Sequence, residues 1–420
     1  MTVESAAPSL ETIDLSDLEI YRHGFPHETF SVLREQAPVW LHPGRPGTEG
    51  PFWVVSSHAD VKAVSNDHET FRSFEGPSIP DWDQNARGLM LITMDPPDHT
   101  RLRRLVNKGF TPRMTAMLEN QARSWAIKII DGALEKGECN FVREVAYPLP
   151  MHMIADILGI PESDRDELFR VVQENTEAHN ESLGLAQEEL LARQAAALGQ
   201  MFTYARELAD RKRRSPEDDV WTKLTTAEIE QPDGSKTQLN EFELDLFFMV
   251  LCIAGSETTR DAIASGLLAL LEHPDQMDRL RSDPSAMDTA VDEIVRWASP
   301  VTYFRRTATK DVVLHGAEIK AGERVTLWYP SANRDAAVFD GPFSFDVTRN
   351  PNPHVGFGGQ GAHFCLGAHL ARREIRVMFE ELLARTKKIE LMTEPAHTVL
   401  GINSMIMYSL KDVPVRLTRR

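Results

Sequence analysis

The stretch His354-Val-Gly-Phe-Gly-Gly-Gln-Gly-Ala-His-Phe-Cys-Leu-Gly-Ala368 places four glycines before Cys365, at the start of a helix predicted from Leu366 to about Arg385. Glycines allow positive φ angles and a close approach of the backbone to a bulky partner. The positive end of a helix dipole favours the thiolate form of a cysteine that stands there. Because a thiolate on a glycine-lined loop suits an axial metal ligand, the stretch predicts that role for Cys365.

The same stretch can also be compared with a dinucleotide-binding loop, a zinc site, a catalytic cysteine and a buried, inert cysteine. A dinucleotide-binding loop is excluded because RNPNPH, residues 349–354, stands where a strand is needed. A zinc site lacks partners, since His363 and Cys365 supply at most two of four ligands. A catalytic cysteine remains possible, although it leaves the glycine run and Phe357 unexplained, and so does a buried, inert cysteine.

Composition narrows the classes of protein. The chain has 420 residues, 42% hydrophobic and 26% charged, as ordinary globular proteins do, which excludes disorder, collagen and coiled coil. A net charge of −17 argues against nucleic-acid binding through bulk charge. Three distant cysteines are too few for a disulfide framework, so we expect a reducing, cytoplasmic setting. The polar N-terminus resembles no signal peptide, and the longest apolar run, Leu246 to Gly255, is too short for a membrane anchor.

The helical and strand patterns, with the prolines and glycines that interrupt them, predict one large, mainly α-helical domain with small β-sheets. Helical patterns fill most of 96–213, and a long helix runs from about Asn240 to Glu272. A short strand is expected at 52–57, a hairpin tip at 231–237 and small hairpins within 302–350. We expect residues 1–20 to be a flexible N-terminal segment and 21–420 to be the domain.

A second signal is the polar run Ala254-Gly255-Ser256-Glu257-Thr258-Thr259 inside the long apolar helix. Such a local misfit tends to mark function or strain. The plainer alternative is a set of hydroxyls bonded back to helix carbonyls, with Glu257 on a solvent-facing side. The pattern alone leaves both open.

Together these motifs resemble the cytochrome P450 family. Its signature Phe-Gly-x-Gly-x-His-x-Cys-x-Gly matches Phe357 to Gly367, with one extra glycine that puts Phe357 eight residues before Cys365 instead of seven. This variant looks like that of bacterial members that hydroxylate steroid side chains and methyl-branched lipids. The resemblance extends from about residue 20 to the C-terminus and implies a single mainly α domain around haem b, with Cys365 as the iron ligand.

The resemblance also implies roles for further residues. Thr258 would hydrogen-bond dioxygen, Glu257 would relay protons, and the helix would open at Ala254-Gly255 to make room for oxygen. The haem propionates would meet His99 and Arg103, which lie four residues apart on one helix face, together with Arg306 and His354. Adjacent Arg305 would face elsewhere, and a solvated face is the alternative for the basic run 101–104. The rest of the cofactor-binding set is Phe357, Gly358, His363 and Gly367. Glu293, Arg296 and Arg349 would brace the core.

The implied activity is hydroxylation of an unactivated C–H bond in a lipophilic substrate: a steroid, branched-chain lipid, fatty acid or terpenoid. O2 is the co-substrate, and electrons from NAD(P)H would arrive through ferredoxin reductase and a ferredoxin. The ferredoxin would dock on a basic patch formed by Arg101, Arg104, Lys108, Arg113, Arg372, Arg373 and Arg376. The pocket would be lined by 75–95, 170–195, Val250, Ala254, Thr258, Val301-Thr302-Tyr303 and Ile402, with Trp82 at its mouth or on the surface. Rival functions are a peroxide-driven peroxygenase, a non-enzymatic haem sensor and a cysteine hydrolase.

Overall fold

A computed structural model describes residues 9–44, 50–82, 84, 87–109, 112–177, 187–230, 236–399 and 408–420. The α-helices are α1 (His27–Gln36), α2 (His58–Asn66), α3 (Asp98–Gly109), α4 (Pro112–Lys136), α5 (Pro148–Leu158), α6 (Glu162–Glu177), α7 (Gln187–Arg214), α8 (Val220–Thr226), α9 (Glu241–Glu272), α10 (Pro274–Ser282), α11 (Met287–Ala298), α12 (Tyr329–Ala332) and α13 (Ala368–Arg385). The predicted mainly helical fold is confirmed. Within these residues, no helix combines the length and hydropathy that crossing a bilayer would take.

Helix α9 is the central element, with a length of about 48 Å at 1.5 Å per residue. A capping box fixes its start: the Asn240 side chain accepts from the Glu243 N–H, and the Glu243 carboxylate accepts from the Asn240 N–H, both at 2.9 Å. Pro274 stands just beyond its end. Because α5, α7, α11 and α13 all pack against it, residues of α9 lie at the centre of the molecule.

The β-structure is divided among small sheets. The strands are β1 (Val39–His42), β2 (Phe52–Val55), β3 (Phe71–Arg72), β4 (Glu138–Asn140), β5 (Ile229–Glu230), β6 (Lys236–Thr237), β7 (Tyr303–Ala308), β8 (Val312–Leu314), β9 (Ala317–Ile319), β10 (Arg324–Trp328), β11 (Thr386–Leu391), β12 (Ala396–Val399), β13 (Tyr408–Asp412) and β14 (Pro414–Arg419). The largest sheet has the order β1-β2-β10-β7-β3, and the others are β11-β14-β4, β12-β13, β5-β6 and β8-β9. The predicted strand at 52–57, the hairpin around 231–237 and the hairpin β8-β9 are confirmed, although 231–235 lie outside the described residues.

A buried ion network ties α11 to the segment that precedes the glycine loop. Glu293 and Arg296 have no exposed surface, and the two nitrogens Nε and Nη2 of Arg296 each donate to the Glu293 carboxylate at 2.7 Å. Arg349 Nε adds a third bond to Glu293 at 3.1 Å. The predicted brace is therefore confirmed as a structural feature.

Packing reaches further toward the N-terminus than expected. Ile13 and Leu15 are buried in a cluster with Tyr21 and Phe30, and the Leu15 N–H donates to His42 Nε2 at 3.1 Å. Residues 1–8 lie outside the described part of the chain. Apolar side chains from Ile13 onward therefore join a core, within the segment 1–20 for which flexibility was expected.

Candidate active site

The loop before α13 folds back on itself so that Cys365 stands at the entrance to the helix. Its N–H donates to the Phe357 carbonyl at 2.9 Å, and the Gly358 N–H donates to the Val355 carbonyl at 2.9 Å. Gly361 has φ +84, and a Cβ there would lie 2.7 Å from the Ser65 carbonyl oxygen on α2. The glycine run therefore serves both a left-handed turn and a close backbone approach.

Cys365 is exposed, whereas the other two free cysteines, Cys139 and Cys252, are buried. Burial by the surrounding loop raises the pKa of Cys365, while the Gly367 N–H and the nearby Arg103 and Arg372 lower it. A Cβ added to Gly367 would meet nothing within 4 Å. The thiol thus has open space beside it and positive groups around it, which suits a bulky metal-bearing ligand.

A set of positive or protonatable groups near this loop lacks anionic partners. His99 is 2% exposed, and neither ring nitrogen has a hydrogen-bond partner. Arg306 is 5% exposed, and its one described hydrogen bond runs from Nη1 to the Arg305 carbonyl at 2.8 Å. Arg103 is half-buried, and burial lowers its pKa and that of Arg306, although Asp95 lies near enough to raise the latter. Neither arginine forms an ion pair within the described residues. A buried cation without a close carboxylate is costly, so Arg306 above all fits the carboxylates of a haem.

Arg305 and Arg306 illustrate how strand geometry divides two neighbouring cations. Successive side chains of β7 point to opposite faces. Arg305 Nη1 donates to Asp81 Oδ1 at 2.8 Å and to the Ile79 carbonyl at 3.2 Å. Arg305 is therefore paired with a carboxylate, whereas Arg306 forms no ion pair within the described residues.

His363 lies in the same cluster, with its ring centroid 4.4 Å from that of His99. The Ser73 hydroxyl meets His363 Nε2 at 3.1 Å. Asp95 in turn accepts from the N–H groups of Ser73 at 2.8 Å and Phe74 at 3.2 Å. Sequence reasoning missed Ser73 and Asp95, because a lone serine and an acid before two prolines carry no motif.

His354 is placed differently from the other predicted propionate ligands. Its Nε2 meets Asp292 Oδ1 at 3.2 Å, and its Nδ1 accepts from the Gly356 N–H at 3.2 Å. Asp292 also accepts from Arg372 Nε at 2.7 Å. Both ring nitrogens of His354 are therefore occupied, so a propionate would have to replace Asp292.

On α9, Ala254 is exposed and Thr258 is half-buried one turn later on the same face. The Thr258 hydroxyl donates to the Ala254 carbonyl at 2.8 Å, and the helix is α-helical throughout. The expected opening at Ala254-Gly255 is therefore absent. Gly255 lies about 100° further around the helix than Ala254, against α5, where an added Cβ would lie 2.5 Å from Ile154 Cδ1. Its small size serves helix packing in this structure.

Glu257 is 2% exposed, so the alternative that put it on a solvent face is wrong. It forms an ion pair with Arg260, one turn along α9. Burial raises the pKa of Glu257 to about 7, against the lowering effect of Arg260. A carboxyl that titrates near neutrality is suited to proton transfer at physiological pH.

The predicted docking patch is largely neutralised by acidic neighbours. Arg372 pairs with Asp292, Arg373 with Glu119, and Arg376 with Asp288 and Glu380. Arg104 is exposed and has no ion pair within the described residues. The side chains of Lys108 and Arg113 lie outside the described part.

The predicted pocket lining is partly described. Met90 is buried, and Leu89, Leu91 and Ile92 are half-buried. Trp82 packs on Gly76, and its Nε1 donates to Ser78 Oγ at 2.9 Å, so it rests on its own segment. Ile402 and residues 178–186 lie outside the described residues.

Comparison with known proteins agrees with this geometry. A family model described as Cytochrome P450 matches residues 17–389. "Putative cytochrome P450 126" of Mycobacterium tuberculosis is 44% identical over 93% of this chain and 95% of its own length. "Steroid C26-monooxygenase" of the same species is 40% identical over 91% and 88%. The solved structure of Mycobacterium marinum cytochrome P450 CYP268A2 in complex with pseudoionone has a TM-score of 0.88 and 35% identity, covering 98% of this chain and 100% of that one.

Proposed function

The chain belongs to the cytochrome P450 family and is a monooxygenase, and we propose that it hydroxylates an unactivated C–H bond of a steroid or methyl-branched lipid. Family membership implies a haem-thiolate iron. The observation that carries the proposal is the exposed Cys365 thiol beside His99, which has no hydrogen-bond partner, and beside Arg103 and Arg306, which form no ion pair within the described residues.

Each residue of that set has a defined task toward haem b. Cys365 holds the iron, and the Gly367 N–H stabilises the thiolate by donating to it. Arg103, Arg306 and His99 bind the propionates, and Ser73 orients His363 toward the same edge. When bound, haem supplies the activation of O2 that lets one oxygen atom enter a C–H bond.

The overall change consumes protons that the chain must deliver. Substrate RH, O2, two electrons and two protons give ROH and water. Thr258 carries the hydroxyl on the exposed face of α9, and rotation about its Cβ–Oγ1 bond exchanges the Ala254 carbonyl for a new acceptor. Glu257, one residue earlier and titrating near neutrality, supplies the proton.

The substrate class follows from three lines of support. The glycine-loop variant resembles that of steroid and branched-lipid hydroxylases, and the steroid C26-monooxygenase covers nearly the whole chain. Val250, Ala254 and the 89–92 segment supply apolar lining residues. Fatty acids and terpenoids are the competing classes in the test below.

The proposal includes electron supply from NAD(P)H through ferredoxin reductase and a ferredoxin. With Arg101, Arg372, Arg373 and Arg376 in ion pairs, Arg104 is the cation without one among the described side chains of the patch, and it would steer an acidic partner. Arg104→Glu should slow reduction and weaken its dependence on ionic strength, measured by stopped flow. Unchanged rates would exclude this docking site. A cytoplasmic setting belongs to the same proposal, because three free cysteines suit a reducing compartment.

The deciding experiment is a reduced, carbon monoxide difference spectrum of the purified protein. A red-shifted Soret band is expected for the wild type and for the control Cys139→Ser, and its loss is expected for Cys365→Ser. A parallel titration with steroids, branched lipids, fatty acids and terpenes reports the class that shifts the spin state. A band typical of a neutral axial ligand would overturn the Cys365 assignment. Robust turnover with peroxide and no reductase would favour a peroxygenase.

A further inference from the structure

Arg260 lies between two buried carboxylates on α9. Glu257 and Asp261 are each 2% exposed and stand four residues apart, on one face of the helix. Arg260 Nη1 pairs with Glu257, while its Nη2 and Nε meet Asp261 Oδ1 at 2.9 Å. One guanidinium therefore serves two acids in a site that water hardly reaches.

A residue from the C-terminal hairpin fixes the Asp261 side of this arrangement. Arg260 Nη2 donates to Ser409 Oγ at 2.6 Å, and Ser409 Oγ donates to Asp261 Oδ1 at 2.9 Å. Ser409 lies on β13 and is 4% exposed. Two nitrogens of Arg260 are thus held without any contribution from Glu257.

Glu257 is held on the other side of Arg260, in close ion-pair contact with Nη1. Arg260 and Thr176 both lower the pKa of Glu257 through their side chains. The contact with Glu257 therefore uses a different nitrogen of Arg260 from those that hold Asp261 and Ser409. The side chain of Arg260 is 12% exposed and that of Glu257 2%, so Arg260 is the more accessible member of the pair.

The pKa shifts of the two carboxylates, Glu257 and Asp261, also show that Arg260 acts on both. Burial raises the pKa of both Glu257 and Asp261, and Arg260 lowers both. Asp261 raises the pKa of Glu257 further, because its negative charge disfavours a second negative charge nearby. The other polar groups that face the cluster are Thr176 on α6, which faces Glu257, and Tyr147, before α5, which faces Arg260.

We propose that Arg260, anchored by Asp261 and Ser409, is a positioning residue that sets the protonation of Glu257. The inference rests on the proposed function, in which Glu257 supplies the proton. It predicts opposite effects of Arg260 and Asp261 on the protonation of Glu257, since Arg260 adds a positive charge and Asp261 a negative charge. It also couples the acid to the hairpin β12-β13 through Ser409.

The first test is infrared titration of the carboxyl carbonyl stretch, with the Glu257 band identified by its loss in Glu257→Gln. Arg260→Met should raise the pKa of Glu257 by about 1–3 units, and Asp261→Asn should lower it. Arg260→Lys keeps the charge and should return the pKa toward the wild-type value. The matched control is Arg206→Met, which removes another arginine–aspartate pair, to Asp245 near the start of α9, and should leave the band unmoved.

The second readout is the product formed per O2 consumed as a function of pH. Its inflection should move up in Arg260→Met and stay in place in Arg206→Met. Shifts of equal sign in Arg260→Met and Asp261→Asn, or none in either, would overturn the inference. Ser409→Ala gives an independent check if Asp261→Asn does not fold: a freed Arg260 should pair more fully with Glu257 and lower its pKa. Loss of the thiolate spectrum in the wild type would refute the proposed function while leaving the infrared result valid.

Discussion

Replacing Arg306 by methionine tests whether this arginine binds the cofactor or stabilises the haem-free protein. The Arg306 side chain is buried, has no carboxylate partner in the described protein and donates one hydrogen bond, to the Arg305 carbonyl. Removing it from the haem-free protein therefore costs about 1 kcal/mol for that bond, offset by relief of a buried charge. With haem bound, the same change removes one partner of a buried ion pair, which costs about 3–5 kcal/mol. At 1.4 kcal/mol per factor of ten, haem should bind about 10²- to 4 × 10³-fold more weakly.

The adjacent Arg305 provides the control, since it has the same chemistry one residue away. It donates to Asp81 and to the Ile79 carbonyl, so Arg305→Met leaves acceptors unpaired with or without haem. We expect it to lower the free energy of unfolding by about 1–3 kcal/mol in both forms and to leave haem affinity nearly unchanged.

The assay combines haem transfer to apomyoglobin, which reports haem loss, with urea unfolding of the haem-free protein. The reasoning predicts fast haem loss and normal stability for Arg306→Met, and slow haem loss and low stability for Arg305→Met. Equal haem-loss rates for Arg306→Met and the wild type would refute the assignment of Arg306 to a propionate.

Three further predictions concern the loop, the central helix and acid stability, all measured by urea unfolding of the haem-free protein. Gly255→Ala should cost about 1–3 kcal/mol because its Cβ meets Ile154 Cδ1, and Ile154→Val in the same chain should recover part of that cost; additive effects would contradict the contact. Gly361→Ala should cost more than about 1 kcal/mol, whereas Gly367→Ala should change stability by less than about 0.5 kcal/mol, and equal costs would exclude the steric reason. Burial holds the pKa of His99 at about 4, so the folded state resists a proton that the unfolded state takes up below its usual pKa of 6.5. Stability should therefore fall by about 3 kcal/mol between pH 6.5 and pH 4, and His99→Gln should flatten that decline; a parallel decline would show that other groups cause it.

The central acid of α9 shows why local pattern is an incomplete guide to chemistry. Its sequence context allowed either a proton relay or a solvent-facing carboxylate, and only burial distinguishes the two. Glu257 is buried because α9 is surrounded by other helices, and its partner Arg260 is fixed by Ser409 from a strand 149 residues away. Proton delivery in this molecule therefore depends on contacts that join distant parts of the chain.

Features that depend on neighbours in the chain were predictable from the sequence. The long helix that begins near Asn240, the helix after Cys365, the turn of the glycine loop and the placing of Glu293 and Arg296 on one helix face all depend on residues close in the chain, so composition and spacing suffice to predict them. The choice of Arg306 over Arg305 as a propionate ligand stays a prediction, and the structure adds that Arg305 is engaged by Asp81.

Only the tertiary structure determines which of these local features are in contact with each other. The pairing of Ser73 with His363, the occupation of His354 by Asp292, and the packing of Gly255 on Ile154 all join segments far apart in sequence. The strand β4 at Glu138–Asn140, within a region predicted to be mostly helical, exists because β14 pairs with it from the other end of the chain. Local propensity determines the secondary-structure elements. Burial and pairing energies depend on distant partners, and they determine the environment and the contacts of each side chain.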